Sequence, residues 1–199
     1  MTFIHAAAEE KPVKPEGKVD KLEEQLAFKS RFVLVFGEIT DALAHATCRR
    51  LLALSEESES PITMLISSPG GHVESGDAIF DVIRFVRAPV TTVGSGWVAS
   101  AGAHIFLAPP KERRLCLPNT RFMIHQPAGG AGGQATDIAI QAREILRARE
   151  RLARVVSTQT GQTYEKVAAD MERDYWMSAD EAIAYGIVSR TIERQKDLA

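Results

Sequence analysis

Residues 88–107 read APVTTVGSGWVASAGAHIFL, and this stretch decides the fold that the sequence predicts. The β-branched run before Gly94 is typical of a buried strand, and the small residues around Ser100 fit a crowded turn into a helix. Ser100 is therefore placed at a helix N-terminus, either as the N-cap or as a hydroxyl at the mouth of a cleft. Because Val98 stands where a G-x-S-x-G elbow has its first glycine, the stretch alone favours the capping interpretation.

Strands and helices alternate on both sides of this stretch. Apolar runs predict strands at residues 32–36, 62–67, 89–93, 114–117 and 120–124, and helical spacing predicts helices at 41–55, 76–86, 136–158 and 164–171. A capping box at residues 178–181 begins another helix that Gly186 ends, and residues 187–192 could add a last short strand. This order predicts an α/β fold with a mainly parallel sheet. The arginines of the helix at 136–158 indicate either a solvated face or a subunit contact.

The composition excludes several classes of function for this chain. The 199 residues are 45% hydrophobic, which suits one globular domain, and the net charge of −2 lacks the basic footprint of a nucleic-acid-binding protein. Cys48 and Cys116 are too few for a disulfide framework and indicate buried thiols in a reducing compartment. No apolar run reaches the length of a membrane span, and no metal or cofactor site is visible. We expect a cytoplasmic protein that binds neither membrane nor nucleic acid.

The N-terminal segment differs from the rest of the chain. Residues 1–24 are polar and contain prolines, which predicts a flexible arm that ends in a short helix at 19–27. Residues 25–199 are predicted to form the single folded domain.

A nucleophilic serine needs a base, and the base needs a carboxylate that orients it. Among the five histidines, His125 ends a predicted strand just before a glycine-rich loop, where parallel sheets gather their site residues. His72, after a Pro-Gly-Gly turn, is the second candidate, whereas His104 lies one helical turn beyond Ser100 and is too constrained to reach back. The residues leave the carboxylate open among Asp137, Asp170, Asp174 and Asp180.

Two glycine-containing turns add to this arrangement. Glycine tolerates the φ that turns an amide inward, so the amide of Gly70, paired with that of Ala101, could bind an oxyanion. The glycine-rich loop at residues 128–133 lacks the Lys-Ser/Thr of a P-loop and the spacing of a dinucleotide site. It indicates instead the close approach of a peptide backbone or the hinge of a projecting hairpin.

Five segments of the chain resemble one family, the proteolytic subunits of the ATP-dependent Clp proteases (ClpP). They are SPGG at residues 68–71, ASAGA at 99–103, LPNTRFMIHQP at 117–127, GQATDI at 133–138 and ERD at 172–174, in the order and at the spacing of that family. The similarity runs from about residue 28 to 192. It implies a ClpP/crotonase-like superhelix of β-β-α units with a protruding handle, a strand plus a long helix, at about residues 126–158.

The resemblance also implies the activity and the residues that perform it. The family's members are serine endopeptidases, and the matching positions imply Ser100 as nucleophile, His125 as general base and then acid, and Asp174 as the orienting carboxylate. Gly70 and Ala101 would supply the amides of the oxyanion hole. The substrate would bind as an added strand to the backbones of Gly71, Val73 and Ala128.

The implied partners follow from the same family. Its members degrade unfolded polypeptides that an AAA+ unfoldase such as ClpX or ClpA delivers, and the unfoldase uses the ATP, so this chain would hold no cofactor. Its subunits form homo-oligomers of two stacked heptamers or mixed rings with a ClpP paralogue. Glu172 and Arg173 resemble the family's contact between the rings.

Some positions depart from the family's pattern. The arm is polar, Thr63 and Leu65 stand where many members carry aromatic docking residues, Phe80 keeps an aromatic at a third such position, and Trp97 has no explanation. These departures indicate an atypical paralogue and keep a second hypothesis open, a regulatory or structural subunit that needs a paralogue for activity. An acyl-CoA hydratase or isomerase is a third hypothesis, which the serine, histidine and aspartate disfavour.

Overall fold

A computed structural model describes residues 21–130 and 132–198 of the chain. The chain divides into two compact units, Met1–Ser30 and Arg31–Ala199. The described part of the first unit contains helix α1 (Lys21–Lys29), close to the predicted short helix. Most of the predicted arm, with His5, lies outside the described residues, so its flexibility stays a prediction.

The second unit contains all the other elements of the described residues. Its strands are β1 (Phe32–Phe36), β2 (Ile62–Ser68), β3 (Val90–Ala99), β4 (Arg114–Cys116), β5 (Arg121–Ile124), β6 (Tyr175–Met177) and β7 (Arg190–Thr191). Its α-helices are α2 (Asp41–Glu57), α3 (Val73–Phe85), α4 (Ala101–Phe106), α5 (Ala135–Thr160), α6 (Tyr164–Asp170) and α7 (Ala179–Tyr185), with 3₁₀ turns at Lys111–Arg113 and Gln195–Leu198. The predicted α/β class is confirmed.

The sheet branches at β3. Strands β1-β2-β3-β4-β7 form a parallel path, while β5 pairs in parallel with the second half of β3, and β6 pairs antiparallel with β5. The sequence predicts that the third strand ends at residue 93, but β3 continues through Gly96, at φ 62°, to Ala99. The extension exists because β5 supplies a second partner, which the periodicity of a single segment does not show.

Helix α4 packs tightly behind the sheet because its residues are small. All six of its residues are buried, and a Cβ on Gly102 would lie 3.0 Å from the Cβ of Ser68 in β2. The small residues around Ser100 thus allow a helix to lie directly on the strands. This close packing fixes the position of the β3–α4 turn.

The structure does not place Phe80 on an exposed docking surface, where the family resemblance implied it. Phe80 is only 8% exposed and belongs to the core between α3 and α4. Phe85, at the end of α3, is 78% exposed and is the aromatic that α3 presents to solvent. The helix begins three residues earlier than the sequence predicts, at Val73.

Helix α5 is the long helix of the expected handle. It has 26 residues, of which only Ala153 and Val156 are buried. The strand of the expected handle is not formed in described residues 125–130, where the glycines weaken strand propensity and no neighbouring strand pairs. Within the described residues, no helix combines the length and the apolar character that crossing a membrane requires.

Candidate active site

Ser100 lies in a strained turn between β3 and α4. Its φ is 53° and its ψ is −121°, and only Ser100 and Arg31 among described non-glycine residues have a positive φ. The turn is held by backbone hydrogen bonds from the Ser100 amide to the Met123 carbonyl at 2.9 Å and from the His104 amide to the Ser100 carbonyl at 3.0 Å. Ser100 is the N-cap residue of α4, as the sequence predicts, but its side chain makes no capping hydrogen bond. Strain of this kind is typical of functional turns.

The hydroxyl of Ser100 instead contacts His125. The distance from Ser100 Oγ to His125 Nε2 is 2.7 Å. The two residues meet because Trp97–Ala99 of β3 pair in parallel with Arg121–Met123 of β5, which brings the carboxyl ends of both strands to the same edge. The structure therefore brings Ser100 and His125 together, while their catalytic roles stay a prediction.

Asp174 approaches the other nitrogen of His125. The antiparallel register of β5 and β6 pairs Ile124 with Tyr175, so the next positions along the ladder, His125 and Asp174, face each other. His125 Nδ1 lies 3.0 Å from Asp174 Oδ1. Two hydrogen bonds from Gln126, its amide to the Met171 carbonyl at 2.6 Å and its Nε2 to the Glu172 carbonyl at 2.9 Å, hold the two segments together.

The other candidate carboxylates lie elsewhere. Asp170 accepts hydrogen bonds from Lys166 Nζ at 2.6 Å and from the Tyr185 hydroxyl at 2.8 Å. Burial and this contact with Asp170 raise the pKa of Tyr185. Asp137 lies in the first turn of α5 and Asp180 in the first turn of α7. The structure therefore brings only Asp174, of these four, to His125.

His72, the second candidate base, belongs to a separate cluster. Its Nδ1 lies 3.0 Å from Asp41 Oδ1 and 2.8 Å from Ser75 Oγ, and its Nε2 lies 3.0 Å from Glu74 Oε2. Ser75 also donates its hydroxyl to Asp41, and this bond, followed by the contacts with His72, lowers the pKa of Asp41. Because Ser75 is buried, its hydroxyl is not a second nucleophile.

The two amides predicted to bind an oxyanion differ in whether they already have a hydrogen-bond acceptor. Ala101 begins α4, so its amide has no acceptor within the helix. The Gly70 amide, however, donates to the hydroxyl of buried Ser68 at 3.1 Å. Sequence reasoning found the Ser-Pro-Gly-Gly turn but missed this internal acceptor, which an oxyanion at Gly70 would have to displace or share.

Gly70→Ala is expected to lower kcat/KM for peptide hydrolysis by at least about 10²-fold. Gly70 has φ +103°, and an added Cβ would lie 2.6 Å from the Cβ of Ser100, so the turn has to shift. A fluorogenic peptide assay measures the loss. The matched control is Gly132→Ala, because a Cβ on Gly132 meets nothing within 4 Å. Wild-type kinetics in Gly70→Ala would contradict the assignment.

The three predicted substrate-contacting residues surround this turn. Gly71 forms a parallel bridge with Ile39 in which the Ile39 amide donates to the Gly70 carbonyl and the His72 amide donates to the Ile39 carbonyl, both at 2.8 Å. This pattern leaves the N–H and C=O of Gly71 itself directed away from Ile39. Val73 is half-buried and Ala128 is exposed.

A small cavity opens beside Ser100 and His125. Its volume is about 40 Å³, enough for a few water molecules. Sequence reasoning missed most of its wall, which comes from several elements. The remaining lining residues are Val73, Ala101, Ala103, His104, Ile124, Pro127, Leu152, Val156 and Met171.

A partly buried cluster of charged and polar side chains lies beside this cavity. Asp77 of α3 accepts two hydrogen bonds from Arg151 of α5, each 2.7 Å long. His104 Nε2 lies 2.9 Å from Asp77 Oδ1, an ion-pair distance, although the angle departs from that of a hydrogen bond. Burial raises the pKa of Asp77, but the contacts with His104 and Arg151 outweigh it and lower the pKa to about 2.

This lowered pKa predicts a pH-dependent contribution to stability. Above pH 3.8, the carboxylate of Asp77 is expected to stabilise the fold by about 2 kcal/mol, and this contribution is lost as pH falls towards 2. The difference in free energy of unfolding between wild type and Asp77→Asn should therefore shrink from pH 5 downwards. Urea unfolding at several pH values measures it. The exposed Glu59→Gln is the control, and a difference constant with pH would contradict the prediction.

Comparisons with known proteins identify a family model and relatives that match this chain. The family model described as Clp protease matches residues 16–195. The ATP-dependent Clp protease proteolytic subunit 3 of Rhizobium meliloti is 55% identical over 179 residues, covering 90% of this chain and 92% of the relative. The ATP-dependent Clp protease proteolytic subunit 2 of Gluconobacter oxydans is 58% identical over 182 residues, covering 90% and 81%.

Solved structures support the same fold. A ClpP1 mutant from Listeria monocytogenes superposes with a TM-score of 0.84 at 49% identity, covering 89% of this chain and 99% of that one. The ClpP1 structure from the same organism gives a TM-score of 0.81 at 48% identity, covering 88% and 99%. The expected superhelical fold with its long helix is thereby confirmed.

Proposed function

The chain belongs to the Clp protease family, whose proteolytic subunits are serine peptidases, and we propose that Ser100, His125 and Asp174 are its catalytic triad. One observation carries this proposal. Ser100 Oγ, the imidazole of His125 and the carboxylate of Asp174 form a continuous chain of contacts of 2.7 and 3.0 Å at one edge of the sheet. A hydroxyl, a base and an orienting carboxylate in this order are the requirements of acyl transfer.

The proposed mechanism follows from the two nitrogens of His125. Asp174 accepts a hydrogen bond from Nδ1–H, which leaves the lone pair of Nε2 directed at Ser100 Oγ. Ser100 Oγ attacks the peptide carbonyl carbon while Nε2 takes its proton. The C–N bond then breaks, and the amine leaves with that proton. Water activated by the same nitrogen hydrolyses the acyl-enzyme and restores Ser100.

The proposed oxyanion hole consists of the amides of Ala101 and Gly70. Ala101 supplies the free amide of a helix N-terminus, and Gly70 lies against the side chain of Ser100. The substrate is proposed to add as a strand to the free backbone groups of Gly71, near Val73, and to Ala128. Main-chain hydrogen bonds of this kind bind a peptide with little regard to its sequence.

Labelling with a fluorophosphonate tests the nucleophile. Wild type should gain the mass of the probe on the peptide that contains Ser100, and Ser100→Ala should gain nothing. Ser95→Ala, which removes a hydroxyl from β3 five residues earlier, is the control and should be labelled as wild type. Equal labelling of wild type and Ser100→Ala would overturn the assignment.

We also propose that the chain assembles into two stacked heptamers, either homomeric or mixed with a paralogue. Light scattering on the purified protein tests this, because a mass near fourteen subunits is expected and a stable monomer would contradict it. The proposed substrates are unfolded polypeptides delivered by an AAA+ unfoldase such as ClpX or ClpA in the cytoplasm. The free thiols of Cys48 and Cys116 support a reducing compartment.

ATP use is proposed to reside in the unfoldase, with no cofactor in this chain. A short peptide should therefore be cleaved at the same rate with and without ATP, while a folded protein should be degraded only when the unfoldase and ATP are added. Peptide cleavage that requires ATP in the absence of an unfoldase would contradict this division of roles.

A regulatory subunit that needs a paralogue remains a second candidate because of one observation. The Gly70 amide donates to Ser68 Oγ at 3.1 Å, so the oxyanion hole has to rearrange before it can act. Purified alone, such a subunit should be silent towards a fluorogenic peptide. Mixing it with a paralogue that lacks its own nucleophile should restore activity, and Ser100→Ala should abolish that restored activity.

A further inference from the structure

We infer that Arg151, Asp77 and His104 form a positioning chain from helix α5 to the wall of the cavity beside Ser100. The chain sets how well the peptidase accepts a large side chain immediately before the scissile bond. The inference rests on the proposed function of Ser100, since the cavity selects a side chain only if the serine cleaves next to it.

The first contact joins α5 to α3. Both terminal nitrogens of Arg151 donate to the carboxylate of Asp77, with Nη1 to Oδ1 and Nη2 to Oδ2 each at 2.7 Å. A two-pronged guanidinium–carboxylate pair fixes orientation as well as distance. The side chain of Asp77 is 21% exposed and that of Arg151 is 48% exposed, so solvent reaches this pair from the arginine side only in part.

The second contact joins α3 to α4. His104 Nε2 lies 2.9 Å from Asp77 Oδ1, and only 8% of the His104 side chain is exposed. The ring of Phe80 also restrains the imidazole. It stacks on the imidazole with a centroid distance of 4.5 Å and an interplanar angle of 13°. The carboxylate and the aromatic ring together fix the plane of the imidazole.

The third step leads from His104 to the site. His104 is one helical turn from the nucleophile, with its amide bonded to the Ser100 carbonyl at 3.0 Å. Its ring lines the cavity, whose other walls include Leu152 and Val156 of α5. Helix α5 therefore shapes the cavity twice, directly through these two apolar residues and indirectly through Arg151.

The small volume of the cavity makes its wall decisive. At about 40 Å³ it receives a methyl group that leaves much of the wall untouched, whereas a leucine side chain fills it and packs against the wall. A wall that is held in place gives such a side chain packing contacts, and a loosened wall loses them. An alanine side chain does not reach the wall. Cleavage after alanine is therefore insensitive to the contacts among Arg151, Asp77 and His104.

Two fluorogenic peptides that differ only in leucine or alanine before the scissile bond test the inference. Arg151→Gln and Asp77→Asn should each lower kcat/KM for the leucine peptide at least about tenfold relative to the alanine peptide, mainly through KM. Arg151→Lys keeps the charge but not the two-pronged geometry and should give an intermediate ratio. The rate of labelling by a small fluorophosphonate should stay unchanged.

Arg154→Gln is the matched control. It removes the same charge from the same helix, where Arg154 pairs with Glu150 of α5, and Arg154 does not line the cavity. If Arg151→Gln and Asp77→Asn keep the wild-type leucine-to-alanine ratio, or lower both peptides equally, the inference is overturned. If wild type itself is not labelled at Ser100, the proposed function fails and the inference falls with it.

Discussion

Ser100→Ala is expected to lower kcat for a fluorogenic peptide by about 10⁶-fold. The variant removes the oxygen that is proposed to form the acyl bond, while the Cβ that occupies the strained turn at φ 53° is kept. The fold should therefore survive, with an unchanged melting temperature. The residual rate comes from the oxyanion amides and from substrate binding, which do not depend on the hydroxyl.

A double variant makes this prediction sharper. In the proposed triad, Ser100 and His125 act as one unit across a 2.7 Å contact, so Ser100→Ala/His125→Ala should be no slower than Ser100→Ala alone. Ser95→Ala should retain the wild-type rate. An additive loss in the double variant, or substantial turnover in Ser100→Ala, would contradict a shared role of the two residues.

The serine and its base were predictable from the sequence because each follows a clear local pattern. Ser100 follows a β-branched run and precedes small residues, and His125 follows an apolar strand and precedes glycines. In a parallel sheet such positions gather at one edge, so a local pattern predicts a tertiary contact. The pattern did not show which group the Ser100 side chain contacts: its hydroxyl lies against His125 and makes no capping hydrogen bond to α4.

The carboxylate was not predictable from the residues alone. Asp174 reaches His125 only through the register of β6, a strand of three residues with two exposed aromatic side chains and no clear alternation. Nothing local separates Asp174 from Asp170, which also lies near this loop but bonds to Lys166 and Tyr185. The family resemblance implied the residue that the geometry selects.

The ionic contacts of α5 illustrate a different limit. Its arginines indicated a solvated face or a subunit contact, yet Arg151 pairs with Asp77, and Arg149 pairs with Glu172 at 2.5 Å, within the same chain. Helical spacing shows which residues share a face but not which element packs on that face.

Trp97, which the sequence leaves unexplained, is half-exposed in β3. It pairs in register with Arg121 of β5, whose guanidinium lies over the ring of Trp176.

Asp174→Asn is expected to lower kcat by about 10⁴-fold with little change in KM. The carboxylate of Asp174 accepts a hydrogen bond from Nδ1–H of His125 at 3.0 Å, which leaves Nε2 unprotonated towards Ser100. An asparagine amide can donate to Nδ1 and so favours the other tautomer, in which Nε2 carries the proton and cannot accept one from the serine. The substrate contacts stay intact, so the loss should lie in kcat.

Asp180→Asn is the matched control. Asp180 is an exposed aspartate that the sequence alone does not distinguish from Asp174 as the orienting carboxylate. It should keep wild-type kcat, and both variants should have the melting temperature of wild type. The fluorophosphonate labelling rate should fall in Asp174→Asn alone, since that reaction also needs the base to take the proton of Ser100. If Asp180→Asn lost activity and Asp174→Asn did not, the β5–β6 register would not be what orients His125.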